Sequence, residues 1–278
     1  MSAKSKTPNS NRDSKHRGSC KLCEQFGQLQ LSHFLPAGVY RRLVPGESKI
    51  QQPVLVTPKT AMLTSVQMKD YVFCGECERR FDKGGEDYVL RQMRGDSGFP
   101  LLERLNVSPP VDFSTRQLMY AGKSLGIETD KFGYFALSVL WRSGIHSWPS
   151  IRGHVPESVD LGASKEPIRQ FLLGRAPFPQ EITVLVTACT DIYSQRATYA
   201  PTKLLGAPTR GISFLACGIH FLIWMDTPCP EVMKNFCCYK SERGYVFCRD
   251  ASTRTVHAYA TLHSTAQMRG LLACSYAA

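Results

Sequence analysis

Two short segments, CKLC at residues 20–23 and CGEC at residues 74–77, carry the strongest structural signal in the chain. Two residues between paired cysteines form a tight turn, so both sulfurs of a pair can reach one metal ion. Four thiolates are the ligand set of a closed tetrahedral zinc site. We therefore predict a small zinc-stabilised domain at residues 19–95, with one structural ion held by Cys20, Cys23, Cys74 and Cys77. The alternative is four unlinked cysteines.

The composition bounds the class of protein. The 278 residues are 43% apolar and 21% charged, as in a globular protein of one or two domains. The longest apolar run, Ile212–Met225, is shorter than the roughly 20 residues of a membrane-spanning helix. The 11 cysteines are an odd number, and residues 1–19 lack the apolar core of a secretion signal. We expect reduced cysteines, a cytoplasmic location and no membrane partner.

The charge indicates a polyanionic partner. Lys and Arg number 34 against 23 Asp and Glu, a net charge of +11, and nucleic acid, most simply DNA, is the expected partner. Residues 1–18 are polar and basic without apolar periodicity, which predicts a disordered basic arm. The alternative explanation of the charge is a solvated basic surface.

The rest of the chain predicts an α+β fold. Residues 96–110 carry turn signals and indicate a linker, after which a larger C-terminal domain spans residues 111–278. Its first part, 111–174, shows helical periodicity, and 180–263 shows the alternating and fully apolar runs of strands, with Ile212–Met225 as one central strand. Within that run, a buried core histidine at His220 is favoured over a Cys217–His220 hydrolase pair.

The residues around the cysteine pairs resemble a known family. Ser32-His33-Phe34-Leu35-Pro36 follows the first pair, and Glu78 directly follows the second. This pattern over residues 19–95 is similar to the zinc-stapled HNH endonucleases, which have a ββα-metal, treble-clef fold. It also resembles a group of bacterial proteins with Ser-His and Cys-x-x-Cys-Glu at these places.

The resemblance implies a metal-dependent DNA endonuclease that hydrolyses phosphodiester bonds. His33 would be the general base that activates water, because a histidine of near-neutral pKa suits that task. A catalytic Mg²⁺ or Mn²⁺ would be held on one side of a helix by Glu78, Asp82 and Glu86. Phosphates would approach three basic residues of the same helix: Arg79, Arg80 and Lys83.

Three departures from the family pattern favour an alternative, a non-catalytic zinc-binding module that binds nucleic acid or a protein partner. Ser32 stands where the family usually has a ligand Asp or His, and no Asn lies between Gln67 and Cys74. Gly84-Gly85 is a potential break in the helix that would carry the carboxylates. Under this alternative the carboxylates form a solvated helix face paired with the neighbouring basic residues.

Overall fold

The computed structural model describes residues 16–44, 53–56, 60–114, 117–151, 153, 155–204, 211–225, 231–252 and 267–268. Within these ranges the chain has an α+β fold with three sheets. The strands are β1 (Arg17–Ser19), β2 (Phe26–His33), β3 (Val54–Val56), β4 (Thr60–Leu63), β5 (Lys69–Cys74), β6 (Asp112–Ser114), β7 (Gln117–Ala121), β8 (Thr183–Cys189), β9 (Thr198–Lys203), β10 (Gly211–Ala216), β11 (Ile219–Trp224), β12 (Tyr245–Arg249) and β13 (Gln267–Met268). The helices are α1 (Ala37–Arg42), α2 (Gly75–Phe81), α3 (Asp87–Gln92), α4 (Pro100–Asn106), α5 (Thr129–Ile145), α6 (Lys165–Leu172), α7 (Ile192–Gln195) and α8 (Glu231–Lys234).

A small antiparallel sheet of order β1-β2-β5 organises the N-terminal part. In its register Ser32 lies opposite Asp70 and His33 lies opposite Lys69. Helix α2 begins directly after β5, so the strand and the helix are joined at the second cysteine pair. Most of the predicted basic arm, residues 1–15, lies outside the described residues, but Arg17 belongs to β1.

The large sheet has the strand order β6-β7-β12-β8-β11-β10-β9. The prediction of one strand over Ile212–Met225 is wrong, because this run forms the β10–β11 hairpin. Its turn is made by Cys217 and Gly218, whose φ angles of 44° and 90° lie in the left-handed region. Glycine adopts that region without steric cost, so Gly218 was the available signal for the turn.

The predicted helical segment at 111–174 is only partly present. Residues 112–114 and 117–121 form β6 and β7 instead, because β7 pairs with β12 and places Tyr120 opposite Val246. Pairing with a distant strand here outweighs a local helical pattern. The later helices are confirmed as α5 and α6, and Gly174 follows α6 with a φ of 69°. The predicted linker at 96–110 contains α4.

Helix α5 lies at the centre of the molecule. The Phe135 ring packs against Phe214 and Phe221 of the large sheet, with ring centres 6.2 and 5.4 Å away. On the side that faces the N-terminal part of the chain, α5 contacts a π-helical turn, Asp82–Glu86, that joins α2 to α3. One core cluster therefore contains Phe73 of the small sheet together with the α5 and large-sheet phenylalanines.

The Gly84-Gly85 pair does not break the helix, which continues through the π-helical turn to Gln92. A side chain at Gly85 would place its Cβ 2.5 Å from the Lys131 carbonyl oxygen, closer than real contacts allow. The glycines thus let α5 approach the turn closely, which brings the two helices into direct backbone contact.

No helix in the described ranges combines the length and the apolar character that crossing a bilayer requires.

Candidate functional site

The four predicted cysteine ligands converge. Cys20 and Cys23 lie in the turn between β1 and β2, Cys74 ends β5, and Cys77 lies in the first turn of α2. Their sulfur atoms all lie within 4.8 Å of one another, and the Cys23 and Cys74 sulfurs are 3.8 Å apart. A tetrahedron with Zn–S bonds of about 2.3 Å has edges of about 3.8 Å. The tetrad thus has the donor type and the spacing that suit a metal ion such as zinc.

Backbone hydrogen bonds hold the first cysteine turn in shape. The Glu24 N–H donates to the Cys20 carbonyl over 2.9 Å, and Glu24 has a φ of 65° that closes the turn. The Cys74 N–H donates to the Cys20 sulfur over 3.3 Å, and the Lys21 N–H donates to Val72 of β5. These bonds tie the turn to the strand that carries the second pair.

The electrostatics of the tetrad favour a bound cation. A hydrogen bond with the Cys77 thiol lowers the pKa of Cys20 to about 4, whereas the same contact raises the pKa of Cys77. The opposite shifts show that neighbouring thiolates repel each other here. A divalent cation bound between the sulfurs would stabilise the thiolate forms.

A second cluster, which we call the Arg142 cluster, lies between α2 and α5 and consists of Ser32, Glu78, Glu86 and Arg142. Arg142 is 1% exposed and Glu86 is 5% exposed. One guanidinium nitrogen lies 2.6 Å from the Glu86 carboxylate and 3.9 Å from the Glu78 carboxylate. The guanidinium carbon also lies 4.3 Å from the centre of the Phe81 ring. Arg142 is therefore a buried cation between two carboxylates.

Ser32 orients Glu78 within the Arg142 cluster. Its hydroxyl group donates a hydrogen bond to a Glu78 carboxylate oxygen and accepts one from the Phe73 N–H over 3.3 Å. Ser32 thus occupies the place of a family metal ligand but contacts the carboxylate that the resemblance assigned to the metal.

Two of the three carboxylates predicted to hold a catalytic ion, Glu78 and Glu86, meet at Arg142. Among the described residues, the cysteine tetrad is the one group of three or more candidate ligands close enough to hold a metal. Glu78 and Glu86 both lie beside Arg142, whereas Asp82 is exposed. The buried arginine thus supplies positive charge where the resemblance implies Mg²⁺ or Mn²⁺. Glu86 is also buried, whereas the alternative of a solvated helix face would leave its carboxylate exposed to water.

His33, the predicted general base, lies at the end of β2 and is half-buried. Burial lowers its pKa, against a hydrogen bond with the Gln67 side chain that acts in the opposite direction. The lowered pKa favours the neutral imidazole, the form that can accept a proton. Its ring centre lies 6.3 Å from that of Tyr40 on α1.

The three predicted nucleic-acid contacts lie together. Arg79, Arg80 and Lys83 line one open groove of about 630 Å³ between α2 and the end of α6, which we call the α2 groove. Arg80 is held in place there, since its guanidinium donates to the Leu173 carbonyl over 2.9 Å and pairs with Glu76 at 3.2 Å. The surface carries more basic than acidic groups and is accessible to a ligand.

Sequence reasoning missed Arg142, the residue that joins the two parts of the chain. The available signal was its position on α5, where the apolar stripe that includes Phe135 and Val139 continues through residue 142. The Cys217–His220 pair does not form a reactive dyad. Burial raises the pKa of Cys217 to about 12, and its sulfur contacts the Val39 carbonyl.

Glu86 predicts a measurable pH dependence of stability. Burial raises its pKa from 4.5 to about 7, although Arg142 acts in the opposite direction. The folded protein thus binds this proton more tightly than the unfolded chain does. The resulting stabilisation is full below about pH 4.5 and is lost as the pH rises through 7. Relative to Glu86→Gln, the wild-type free energy of unfolding should fall by about 3 kcal/mol across this range.

Urea unfolding of both proteins at several pH values measures this difference. The Gln variant is the matched control because it keeps the shape of the side chain without titrating. A wild-type protein that gains stability relative to the variant as the pH rises would contradict the assignment, and would mean that the attraction of Arg142 exceeds the cost of burial.

Comparison with known proteins adds no assignment, since no family model, no curated protein and no solved structure matches this chain.

Proposed function

We propose that this protein is a zinc-stabilised nucleic-acid-binding protein whose α2 groove contacts the phosphate backbone. The observation that carries the proposal is the convergence of Arg79, Arg80 and Lys83 on one open groove. Phosphate contacts from Lys and Arg supply most of the affinity in sequence-independent binding. The net charge of +11 adds long-range attraction to such a partner.

The zinc ion has a direct role in this proposal. The first cysteine pair lies in a strand-to-strand turn and the second lies at the junction of β5 and α2, an order that supports the proposed treble clef. A zinc ion held by the tetrad fixes the start of α2 against the small sheet. Because the three basic residues follow Cys77 within six positions, the same ion fixes the orientation of the α2 groove.

The Arg142 cluster favours binding over cleavage. A hydrolytic metal needs accessible oxygen ligands and open coordination positions for water and phosphate. Glu86 is buried and paired with Arg142 instead. A helix that binds nucleic acid without cutting it has no need of these carboxylates as metal ligands and can use them to bind α5.

Removing zinc should unfold the N-terminal part of the protein. We expect the purified protein to contain one zinc ion and a strong chelator to lower its thermal unfolding midpoint, because a structural zinc contributes folding free energy directly. Cys77→Ala should lose the ion. Elemental analysis and thermal unfolding with and without chelator measure both effects.

Cys237→Ala is the matched control, since Cys237 is a buried cysteine outside the tetrad. It should retain one zinc ion. Protein that is folded, free of zinc and insensitive to the chelator would rule out the structural metal.

Nucleic-acid binding through the α2 groove should depend steeply on salt. Each phosphate contact contributes a slope of about −0.9 in log affinity against log salt concentration on duplex DNA. The double variant Arg79→Ala/Lys83→Ala should weaken binding and make the slope less negative by about two units. Fluorescence anisotropy with a labelled duplex over a range of salt concentrations measures the slope.

The matched control for the groove variants is Lys203→Ala/Arg243→Ala, which removes the same charge from two residues outside the α2 groove. Equal losses in both double variants would mean that net charge, and not the groove, determines binding. A wild-type protein that binds no nucleic acid at low salt would refute the proposed function.

A second candidate function, HNH-like cleavage of DNA, has one observation in its favour. His33 is half-buried at the end of β2, burial lowers its pKa, and the resemblance implies a general base at this residue. If the protein cleaves, we expect zinc-loaded protein with Mg²⁺ or Mn²⁺ to nick plasmid DNA and His33→Ala, matched for zinc content, to leave it intact. Absence of cleavage by the wild-type protein would exclude this candidate and leave the binding function.

A further inference from the structure

The small sheet has a second face, directed away from α2. Successive side chains of a strand point to opposite faces. Ser32 contacts Glu78 of α2, and Phe73 packs against Phe81 with ring centres 5.1 Å apart, so both point toward α2. A β-bulge between Gln30 and Leu31 in the β2–β5 pairing shifts the alternation, so Tyr71 pairs with Leu31 and points with it to the opposite face from Phe73. We call this surface the outer sheet face, and its residues are His16, Leu31, His33, Lys69 and Tyr71.

Stacked aromatic rings cross the outer sheet face. The His16 and Tyr71 rings are parallel within 2°, with centres 3.5 Å apart. The Leu29 N–H donates to the His16 carbonyl, and Leu31 lies opposite Tyr71, so the two ring-bearing residues flank β2 from both sides. Leu31 is 41% exposed beside them. The surface thus offers an accessible apolar and aromatic platform.

The charge of the three strands is complementary to a polyanion. Together β1, β2 and β5 contain one carboxylate, Asp70, which lies opposite Ser32 and is bound by His146 over 2.9 Å. Lys69, opposite His33, supplies a positive charge on the outer sheet face, whereas Arg17, opposite Gln28, belongs to the other face. No acidic side chain of these strands therefore opposes a phosphate backbone on the outer sheet face.

We propose that the outer sheet face binds single-stranded nucleic acid. Unpaired bases stack on the His16–Tyr71 rings and contact Leu31, while Lys69 neutralises a backbone phosphate. Aromatic residues on an open sheet bind single strands in this way because every unpaired base has an accessible ring face, whereas the bases of a duplex already stack on one another. The inference rests on the proposed function and specifies which form of nucleic acid this second surface takes.

The two surfaces make separable predictions because the outer sheet face and the α2 groove lie on opposite sides of the small sheet. The α2 groove contacts phosphates alone and accepts duplexes. The outer sheet face requires unpaired bases. A change on one surface should therefore alter one ligand class without altering the other.

The test is fluorescence anisotropy at about 50 mM salt with labelled oligothymidylate, alone and annealed to oligoadenylate. Tyr71→Leu, which keeps an apolar side chain without the ring, should weaken binding of the single strand about tenfold. Tyr71→Phe, which keeps the ring, should bind like wild type. Neither variant should change the affinity for the duplex, and both should match wild type in zinc content and thermal unfolding midpoint.

Each outcome decides a different claim. If Tyr71→Leu is folded and binds the single strand as tightly as wild type, the inference is wrong, while the proposed function stands on the duplex result. If wild type binds neither ligand, both the proposed function and the inference are refuted.

If Tyr71→Leu does not fold, Lys69→Ala decides whether the inference is right. This substitution at an exposed residue should reduce the salt slope for the single strand by about one unit, and an unchanged slope overturns the inference.

Discussion

The buried guanidinium of Arg142 is the interaction on which the arrangement of the two parts of the chain depends. It extends from α5, which packs on the large sheet, and pairs with carboxylates of the helix that begins at the second cysteine pair. Breaking such a buried pair by removing one partner costs about 3–5 kcal/mol, because the remaining charge has no counter-ion. The N-terminal sheet, its helix and the large sheet therefore share one core. Two ion pairs that are more exposed, His146–Asp70 and Arg169–Glu24, also connect the two parts.

The same interaction clarifies the relation between this chain and the HNH endonucleases that its motifs resemble. The cysteine tetrad converges as the cysteine spacing predicted, and His33 lies at the end of β2. The carboxylates serve a different partner, since Arg142 lies beside Glu78 and Glu86. This pairing of the carboxylates with an arginine underlies our proposal that the protein binds a polyanion without cutting it.

Patterns within a short stretch of sequence correctly predicted the features that depend on neighbouring residues. The cysteine spacing predicted a metal cluster, and the apolar stripe of α5 predicted a buried helix. The same reasoning misassigned β7, whose apolar residues pair with β12 more than 100 positions away, and missed the hairpin turn at Gly218. Arg142 was overlooked because charge on a helix is normally solvated, and only the three-dimensional meeting of α2 and α5 supplies its carboxylate partners. Periodicity can place a charged residue on a buried face, as it does for Arg142, but it does not identify distant strand partners or the counter-ions of a buried charge.

The β10–β11 turn has a consequence for the time at which the protein folds during synthesis. The Cys217 sulfur contacts the Val39 carbonyl, the Arg94 N–H donates to the Cys217 carbonyl, and a Cβ at Gly218 would meet the Phe99 ring. The N-terminal residues thus complete their packing only against a hairpin that leaves the ribosome about 120 residues later, an interval of roughly 6–24 s at 5–20 residues per second. During that interval the nascent chain exposes the apolar surface around Val39 and Phe99 that later packs against the hairpin.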